Sequence, residues 1–298
     1  MTPPLLTRRG LLAATGGALV LAACGDDSTQ SSSSDPESSD LESAPTTTPG
    51  PFIVVQRFPN FPLFTPGEVR LPISLADQAG NLGDGPATLT GWIEDFDAQR
   101  IADIAAPRRA AGIEIPYWEV RATLDTAGVY TMRFEGDDGF GAAFEVYDEV
   151  EVDTPVTGTK LPPFETPTVD DHRGVEPYCT LTPKPCPLHA VTLTEALASS
   201  KPVIYMVGTP AHCTTGTCAP GLEFLVAEHV RLGDTVTMVH ADVYADDAAT
   251  IVAPAVVALN VQYEPIIYLC TSDGVIVDRL DGIWDASELT ERVDLLVS

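Results

Sequence analysis

A proline-rich segment between residues 153 and 187 divides the sequence into two parts with different hydrophobic patterns. A segment this rich in proline is extended and does not fold alone. Before it, residues 51–152 contain short β-type runs separated by Gly, Asp and Pro. After it, residues 188–298 alternate between helical and strand patterns. The sequence therefore predicts two folded domains, 51–152 and 188–298, joined by a linker over 153–187.

The first domain is predicted to be all β. Strand-like runs cover 69–75, 87–93, 118–124, 129–134 and 143–147, and the run at 118–124 alternates apolar and polar residues as a half-buried strand does. The stretch from Asp125 to Tyr130 resembles the tyrosine corner of immunoglobulin-like sandwiches, in which the Tyr hydroxyl bonds backbone upstream. The resemblance implies an Ig-like β-sandwich that acts as a spacer or as a partner-binding module.

The second domain follows an α/β pattern. Residues 202–207 form a continuous apolar run, typical of a strand buried on both faces. A loop with Cys213 and Cys218 follows, and Pro265 opens a later strand. This order resembles the thioredoxin fold. The resemblance implies a mixed central sheet flanked by helices over 188–298, with Pro265 facing the cysteine pair and holding a substrate chain beside it.

The N-terminus has the pattern of an export signal. Arg8-Arg9 precedes an apolar run of 13 residues, too short to span a bilayer, which takes about 20 helical residues. The run ends at Ala23-Cys24-Gly25 and resembles the lipobox of bacterial lipoproteins. The resemblance implies a twin-arginine signal peptide over 1–23, removed before Cys24, whose thiol is lipidated. Residues 24–50 are acidic and Ser/Thr-rich, which predicts a disordered tether to the extracytoplasmic face of the cell membrane.

The charge balance excludes one class of partner. The chain has 16 Lys and Arg against 43 Asp and Glu, a net charge of −27. A nucleic-acid-binding protein needs a basic surface to displace counterions from phosphates, so no nucleic-acid partner is expected. The sequence does not indicate an oligomeric state.

The spacing of Cys213 and Cys218 predicts a disulfide only if residues 214–217 form a loop, because positions i and i+5 of a helix point about 140° apart. Gly216 permits that loop. A helix beginning near Cys218 would favour its thiolate, His212 would do likewise for Cys213 when protonated, and a carboxylate at Glu264 would raise the thiol pKa.

The predicted function is thiol-disulfide exchange on exported proteins. Cys213 would attack, Cys218 would resolve the mixed disulfide, and Pro265 would hold the substrate. The partners would be thiols or disulfides of exported proteins, or a membrane electron donor. The redox direction stays open.

The remaining cysteines are predicted to be structural. Cys179 and Cys186 are expected to form a second, local disulfide, and Cys270 to be a buried strand residue. A zinc alternative would use Cys179, Cys186 and His189 with Cys213 and Cys218, but these spacings are loose for structural zinc. No metal and no cofactor are therefore predicted.

Three other functions stay open. One is a non-catalytic binding or structural module. The stretch from Thr209 to Cys218 resembles the active-site segment of Q-type peroxiredoxins, with one extra residue between the Thr and the first Cys, which implies a thiol peroxidase. Copper-delivery proteins of the thioredoxin fold use two Cys and a distant His, and His240 is a candidate for that ligand.

Overall fold

The computed structural model describes residues 51–298, and most of its regular structure is β. The predicted signal peptide, the lipidation site at Cys24 and the tether lie outside the described residues. No helix within 51–298 is long and apolar enough to cross a membrane.

The N-terminal half forms one eight-stranded antiparallel sheet, in the order β1-β2-β6-β5-β4-β7-β8, with β3 paired to β2 beside this path. Its strands are β1 (Ile53–Gln56), β2 (Gly67–Asp77), β3 (Gly80–Asn81), β4 (Thr88–Asp95), β5 (Arg100–Arg109), β6 (Tyr117–Leu124), β7 (Gly128–Phe134) and β8 (Ala142–Val146).

The two ends of this sheet approach each other, so that it is nearly closed into a barrel. The Gln56 side chain on β1 donates through Nε2 to the Ala143 carbonyl of β8 at 2.5 Å, and Phe64 forms an isolated bridge with Val146. Strands β7 and β8 alternate buried and exposed residues, as expected where one face of a sheet covers a core. The interior is a single apolar cluster that includes Trp118.

The predicted local hydrogen bond of Tyr130 is present. Its hydroxyl donates to the Thr126 carbonyl at 2.8 Å. The surrounding fold is nevertheless a continuous barrel-like sheet.

The C-terminal half contains a four-stranded mixed sheet in the order β10-β9-β11-β12. Only the pair β9 and β10 is parallel, and the other two pairs are antiparallel. Its strands are β9 (Val203–Val207), β10 (Thr237–Ala241), β11 (Ile266–Cys270) and β12 (Ile276–Asp281). The helices are α1 (Leu193–Leu197), α2 (Cys218–Leu232), α3 (Pro254–Ala258) and α4 (Ala286–Val297).

Both faces of the small sheet are covered. Every residue of β9 is buried, and alternate residues enter two separate apolar clusters, Tyr205 in one and Met206 in the other. Two helices begin with side-chain caps: the Thr192 hydroxyl accepts from the Glu195 amide at the start of α1, and the Asp285 side chain accepts from the Glu288 amide at the start of α4. Such side-chain caps satisfy amides that a helix cannot pair internally.

The fold-class prediction, an Ig-like sandwich followed by a thioredoxin-like α/β domain, is wrong. In the first half β5 pairs with β4 along most of its length and with β6 at its end, so the strands form one barrel-like sheet and not two stacked sheets. The second half is a small mixed sheet with few helices, of which only α2 and α4 exceed five residues. Pro254 begins α3, since proline favours the first helical position.

Buried charges connect the two sheets. The Arg70 guanidinium on β2 donates through Nε and Nη2 to the Glu288 carboxylate of α4, each at 2.6 Å. Burial alone would raise the pKa of Glu288, but the charge and hydrogen bonds of Arg70 hold that pKa at about 2. From β12, Arg279 donates to the Leu63 carbonyl at 2.8 Å. The two halves are thus joined through paired charges as well as through the linker.

Candidate functional site

Cys213 and Cys218 form a disulfide at the N-terminus of α2, with their Cα atoms 6.0 Å apart. The intervening residues form a loop, in which Gly216 has a φ of +69°, a conformation that glycine adopts without strain. Helix α2 begins at Cys218. The predicted disulfide, the predicted loop and the predicted start of the helix are confirmed.

The two sulfur atoms differ in accessibility. Cys213 is partly exposed, whereas Cys218 is fully buried. A chain of hydroxyl groups supports the loop: Thr215 Oγ1 lies 3.1 Å from Cys213 Sγ and 2.7 Å from Thr217 Oγ1. Thr217 in turn donates to the Gly282 carbonyl at 2.8 Å. Only one sulfur of the pair is therefore open to a second molecule.

A carboxyl group lies beside the buried sulfur. Glu264 Oε2 is 3.4 Å from Cys218 Sγ and accepts a hydrogen bond from the Thr209 amide at 2.5 Å. The pKa of Glu264 is raised to about 7, chiefly by burial and to a smaller extent by the charge of Asp242. The hydrogen bond from Thr209 and the charge of His240 lower this pKa and only partly offset the rise. Glu264 can therefore exchange a proton near neutral pH.

Pro265 lies at the start of β11, after a cis peptide bond with Glu264, and it is buried. Gly208 fills the space between it and the disulfide: a Cβ atom on Gly208 would lie 3.2 Å from Pro265 Cβ and 3.6 Å from Cys218 Sγ. Pro265 thus lies close to the disulfide, on the side of the buried sulfur. Gly208 was not predicted, since a glycine after a strand has no distinctive pattern.

His212 lies next to Cys213 in the chain, and its ring packs edge-on against Tyr244 with the centroids 5.9 Å apart. Its Nε2 atom is buried and has no hydrogen-bond partner among residues 51–298. Its predicted effect on the Cys213 thiol stays a prediction.

Two clefts border the disulfide loop where the loop meets the barrel. One, of about 340 Å³, lies between Ile113 and Ile115 of the barrel and Thr215 and Pro220 of the loop and α2. The other, of about 240 Å³, is lined by Arg57, Thr215 and Glu264 among others. The barrel therefore contributes side chains beside the loop that connects the two cysteines.

A second cluster lies on the other side of Gly208. Cys179, Cys186, His189 and His240 are all buried, and their ligand atoms lie within 4.8 Å of one another. Cys179 and Cys186 are free thiols, so the predicted second disulfide is not formed. The pKa of Cys179 is lowered, chiefly because Cys186 donates a hydrogen bond to it, and the pKa of Cys186 is raised for the same reason.

Cys179, Cys186 and His189 belong to the predicted zinc alternative, whereas His240 was predicted only as a candidate copper ligand. His240 reaches the cluster from β10, which lies beside β9 in the sheet. No local spacing signals this approach. Cys270 is buried in β11 as predicted, and burial raises its pKa to about 12.

The chain matches no known protein-family model and no curated protein.

Proposed function

We propose that this protein is a thiol-disulfide oxidoreductase that acts through Cys213 and Cys218. The observation that carries the proposal is the asymmetry of the pair. A partly exposed sulfur is joined to a fully buried one, and the buried sulfur has a carboxyl group with a pKa of about 7 at 3.4 Å. Exchange chemistry requires an accessible nucleophile, a protected resolving thiol and a proton acceptor.

The first step begins with the reduced pair. The Cys213 thiolate attacks one sulfur of a substrate disulfide, a mixed disulfide forms, and the other substrate sulfur leaves as a thiolate that takes up a proton. Cys213 is suited to this step because its sulfur is partly exposed. The Thr215 hydroxyl, 3.1 Å from that sulfur, can donate a hydrogen bond to the thiolate and so favour it.

The second step releases the substrate. The Cys218 thiol gives its proton to Glu264, and the resulting thiolate attacks Cys213 Sγ. The bond between Cys213 and the substrate breaks, and the second substrate thiolate leaves and is protonated. Two electrons and two protons have then passed to the substrate, and the Cys213–Cys218 disulfide has reformed. The N-terminus of α2 favours the Cys218 thiolate, because the helix dipole stabilises negative charge there.

The direction depends on the thiol or disulfide that meets the protein, since the same two steps run in reverse. The sequence favours exported proteins as substrates and a lipid anchor at Cys24 on the extracytoplasmic side of the membrane. A membrane dithiol carrier would restore the reduced pair. The clefts that Thr215 lines border the loop of the partly exposed Cys213 and provide a surface for a substrate chain, whereas Pro265 is buried and would not contact it.

The test is the reduction of a small disulfide-bonded protein by the full chain, with dithiothreitol as the electron source. Replacement of the nucleophile (Cys213→Ser) should lower the rate to that of dithiothreitol alone. Replacement of the buried strand cysteine (Cys270→Ser) is the matched control and should leave the rate unchanged. Removal of the resolving thiol (Cys218→Ser) should trap a mixed disulfide, visible as an added mass, when the variant is first reduced and then freed of dithiothreitol before the substrate is added.

Equal rates for the wild type and the Cys213→Ser variant would contradict the proposal. Peroxide consumption that depends on Cys213, without reduction of the protein disulfide, would favour the peroxidase alternative instead.

A further inference from the structure

We infer that Cys179, Cys186, His189 and His240 form a structural zinc site, separate from the Cys213–Cys218 pair. The inference rests on the geometry of the four side chains and does not depend on the proposed exchange activity.

The distances between the ligand atoms fit a tetrahedral ion. His240 Nδ1 lies 3.8 Å from Cys179 Sγ, 3.6 Å from Cys186 Sγ and 3.2 Å from His189 Nε2. A tetrahedral Zn²⁺ with Zn–S near 2.3 Å and Zn–N near 2.0–2.1 Å places S and N about 3.6 Å apart and two N atoms about 3.3 Å apart. The three measured edges agree with these values to within a few tenths of an ångström.

Each histidine has one ring nitrogen that faces the cluster, the inner nitrogen, and one that bonds a backbone carbonyl, the outer nitrogen. The hydrogen bond of the outer nitrogen determines where the ring proton lies. His240 Nε2 bonds the Gly208 carbonyl at 2.8 Å, and His189 Nδ1 bonds the Pro167 carbonyl at 3.3 Å. A carbonyl oxygen only accepts, so both outer nitrogens carry the proton. The two inner nitrogens then face each other across 3.2 Å, where their lone pairs repel unless a proton or a metal cation lies between them. Histidine ligands of metals typically donate their other N–H to carbonyls in this way.

The chemistry of the ligands selects the ion. Two sulfur and two nitrogen atoms in a tetrahedral arrangement favour zinc over calcium or magnesium, which require oxygen ligands. The four residues are at most 4 % exposed, which leaves no open position for a substrate and makes the site structural. The Cys186 amide also donates to Cys179 Sγ at 3.4 Å, as backbone amides do to metal-bound thiolates.

Binding is balanced in protons and charge. Zn²⁺ replaces the two thiol protons, so two protons are released and the site becomes neutral. No electron is transferred. The bound ion would fasten the linker, through Cys179 and Cys186, to β10 of the small sheet through His240. It would also hold Gly208, and with it the wall of the disulfide site, through the His240 hydrogen bond.

The experiment uses the full chain, purified under reducing conditions, stripped with a chelator and titrated separately with Zn²⁺ and Co²⁺. We expect one equivalent of either metal to bind and two protons to be released per ion. Bound Co²⁺ should show the visible bands of tetrahedral coordination with thiolate ligands. X-ray absorption of the zinc form should show two sulfur and two nitrogen neighbours.

Variants assign the site. His240→Gln and Cys186→Ser should each lose the stoichiometric metal, whereas the double variant Cys213→Ser/Cys218→Ser should retain it. This control matters because Cys213, Cys218 and Glu264 also lie close enough together to bind an ion. The X-ray absorption measurement needs no variant, so it tests the proposal even if His240→Gln fails to fold.

Any of the following results would overturn the inference. The first is a chain with all its thiols reduced that binds no zinc. The second is a metal lost from the Cys213→Ser/Cys218→Ser variant but kept by His240→Gln. The third is protein isolated with stoichiometric copper in place of zinc, or with a Cys179–Cys186 disulfide that forms again when zinc is present.

Discussion

The pH dependence of the proposed exchange chemistry is determined mainly by one side chain, the carboxyl group of Glu264. It faces Cys218, Asp242 and His240, and its pKa of about 7 is set first by burial. Below this pH the group is protonated and cannot accept the Cys218 proton. Above it the carboxylate can. The resolving step should therefore accelerate between about pH 6 and pH 8.

Replacement of this carboxyl by an amide (Glu264→Gln) should slow resolution of the mixed disulfide at pH 8 by about 10²-fold, the lower end of the range for general-base catalysis. It should also flatten the rise in rate around pH 7. The amide oxygen can still accept from the Thr209 amide, so the loop should keep its position. The measurement is the rate of substrate release in a rapid-quench experiment over that pH range.

The control for this variant is Glu223→Gln, which changes the same net charge on an exposed position of α2. It should follow the wild-type pH profile. A Glu264→Gln variant with an unchanged profile would show that Cys218 loses its proton to another acceptor.

At the scale of single elements, Gly282 follows β12 and holds that strand against the barrel. It has a φ of +73°, and a Cβ atom there would lie 2.5 Å from the backbone oxygen of Arg57. Its own carbonyl accepts from Thr217 of the disulfide loop. An alanine at this position would meet two costs, the left-handed conformation and the clash with the Arg57 carbonyl.

The substitution Gly282→Ala should lower the free energy of unfolding by about 3 kcal/mol, of which about 1–2 kcal/mol is the conformational cost alone. Gly174→Ala isolates that cost, because Gly174 has a φ of +79° and nothing within 4 Å of its would-be Cβ. Urea unfolding of both variants gives the comparison. Equal losses for the two would mean that β12 moves away from Arg57 without cost.

The elements also show how far local sequence patterns predict this fold. The apolar run of β9 and the start of α2 at Cys218 both depend on residues close together in the chain, and both were predicted. Strand β5 was not among the predicted strands, because it contains Pro107 and several charged residues. It is the strand that joins β4 to β6 in one sheet. The expectation of two stacked sheets came from the resemblance of the stretch from Asp125 to Tyr130, which is a local feature and does not determine how distant strands pair.

The candidate sites divide in the same way. The Cys213–Cys218 pair lies within one short loop, so spacing and Gly216 were enough to predict it. The second cluster combines the linker cysteines with His240, 54 residues beyond Cys186. Its assembly depends on the pairing of β10 with β9, which no local pattern contains. The predicted disulfide of Cys179 and Cys186 followed from the assumption that nearby cysteines pair with each other.

At the scale of the whole molecule, the barrel and the small sheet are joined by the buried pair of Arg70 and Glu288. The Tyr117 hydroxyl donates a hydrogen bond to Glu288, and Glu119 and Arg121 also face this carboxylate. A buried charge that loses its partner is costly. The replacement of the Arg70 guanidinium by an apolar chain (Arg70→Met) should therefore lower the free energy of unfolding by about 3–5 kcal/mol at neutral pH.

The control is Arg100→Met, since Arg100 pairs with Asp103 on the surface, where the two side chains are 57 % and 81 % exposed. An exposed pair contributes only about 0–1 kcal/mol. Chemical unfolding of both variants and the wild type at pH 7 gives the comparison. A loss no larger than that of Arg100→Met would mean that water reaches Glu288 when Arg70 is absent.

The pH dependence of the stability lost in Arg70→Met is a sharper test, because the pKa of Glu288 is shifted in opposite directions in the wild type and in this variant. In the wild type the pKa of Glu288 is about 2, below the value of about 4.3 in an unfolded chain. The pair therefore stabilises the fold above about pH 4.3, and this contribution is lost as the pH falls toward 2. In Arg70→Met, burial without the guanidinium raises the pKa of Glu288, so acid stabilises the variant as the carboxylate takes up a proton.

The difference in unfolding free energy between the wild type and Arg70→Met should be largest at neutral pH and shrink steadily below pH 5. A difference that stays constant from pH 7 to pH 3 would show that lost packing, and not the unpaired carboxylate, destabilises the variant.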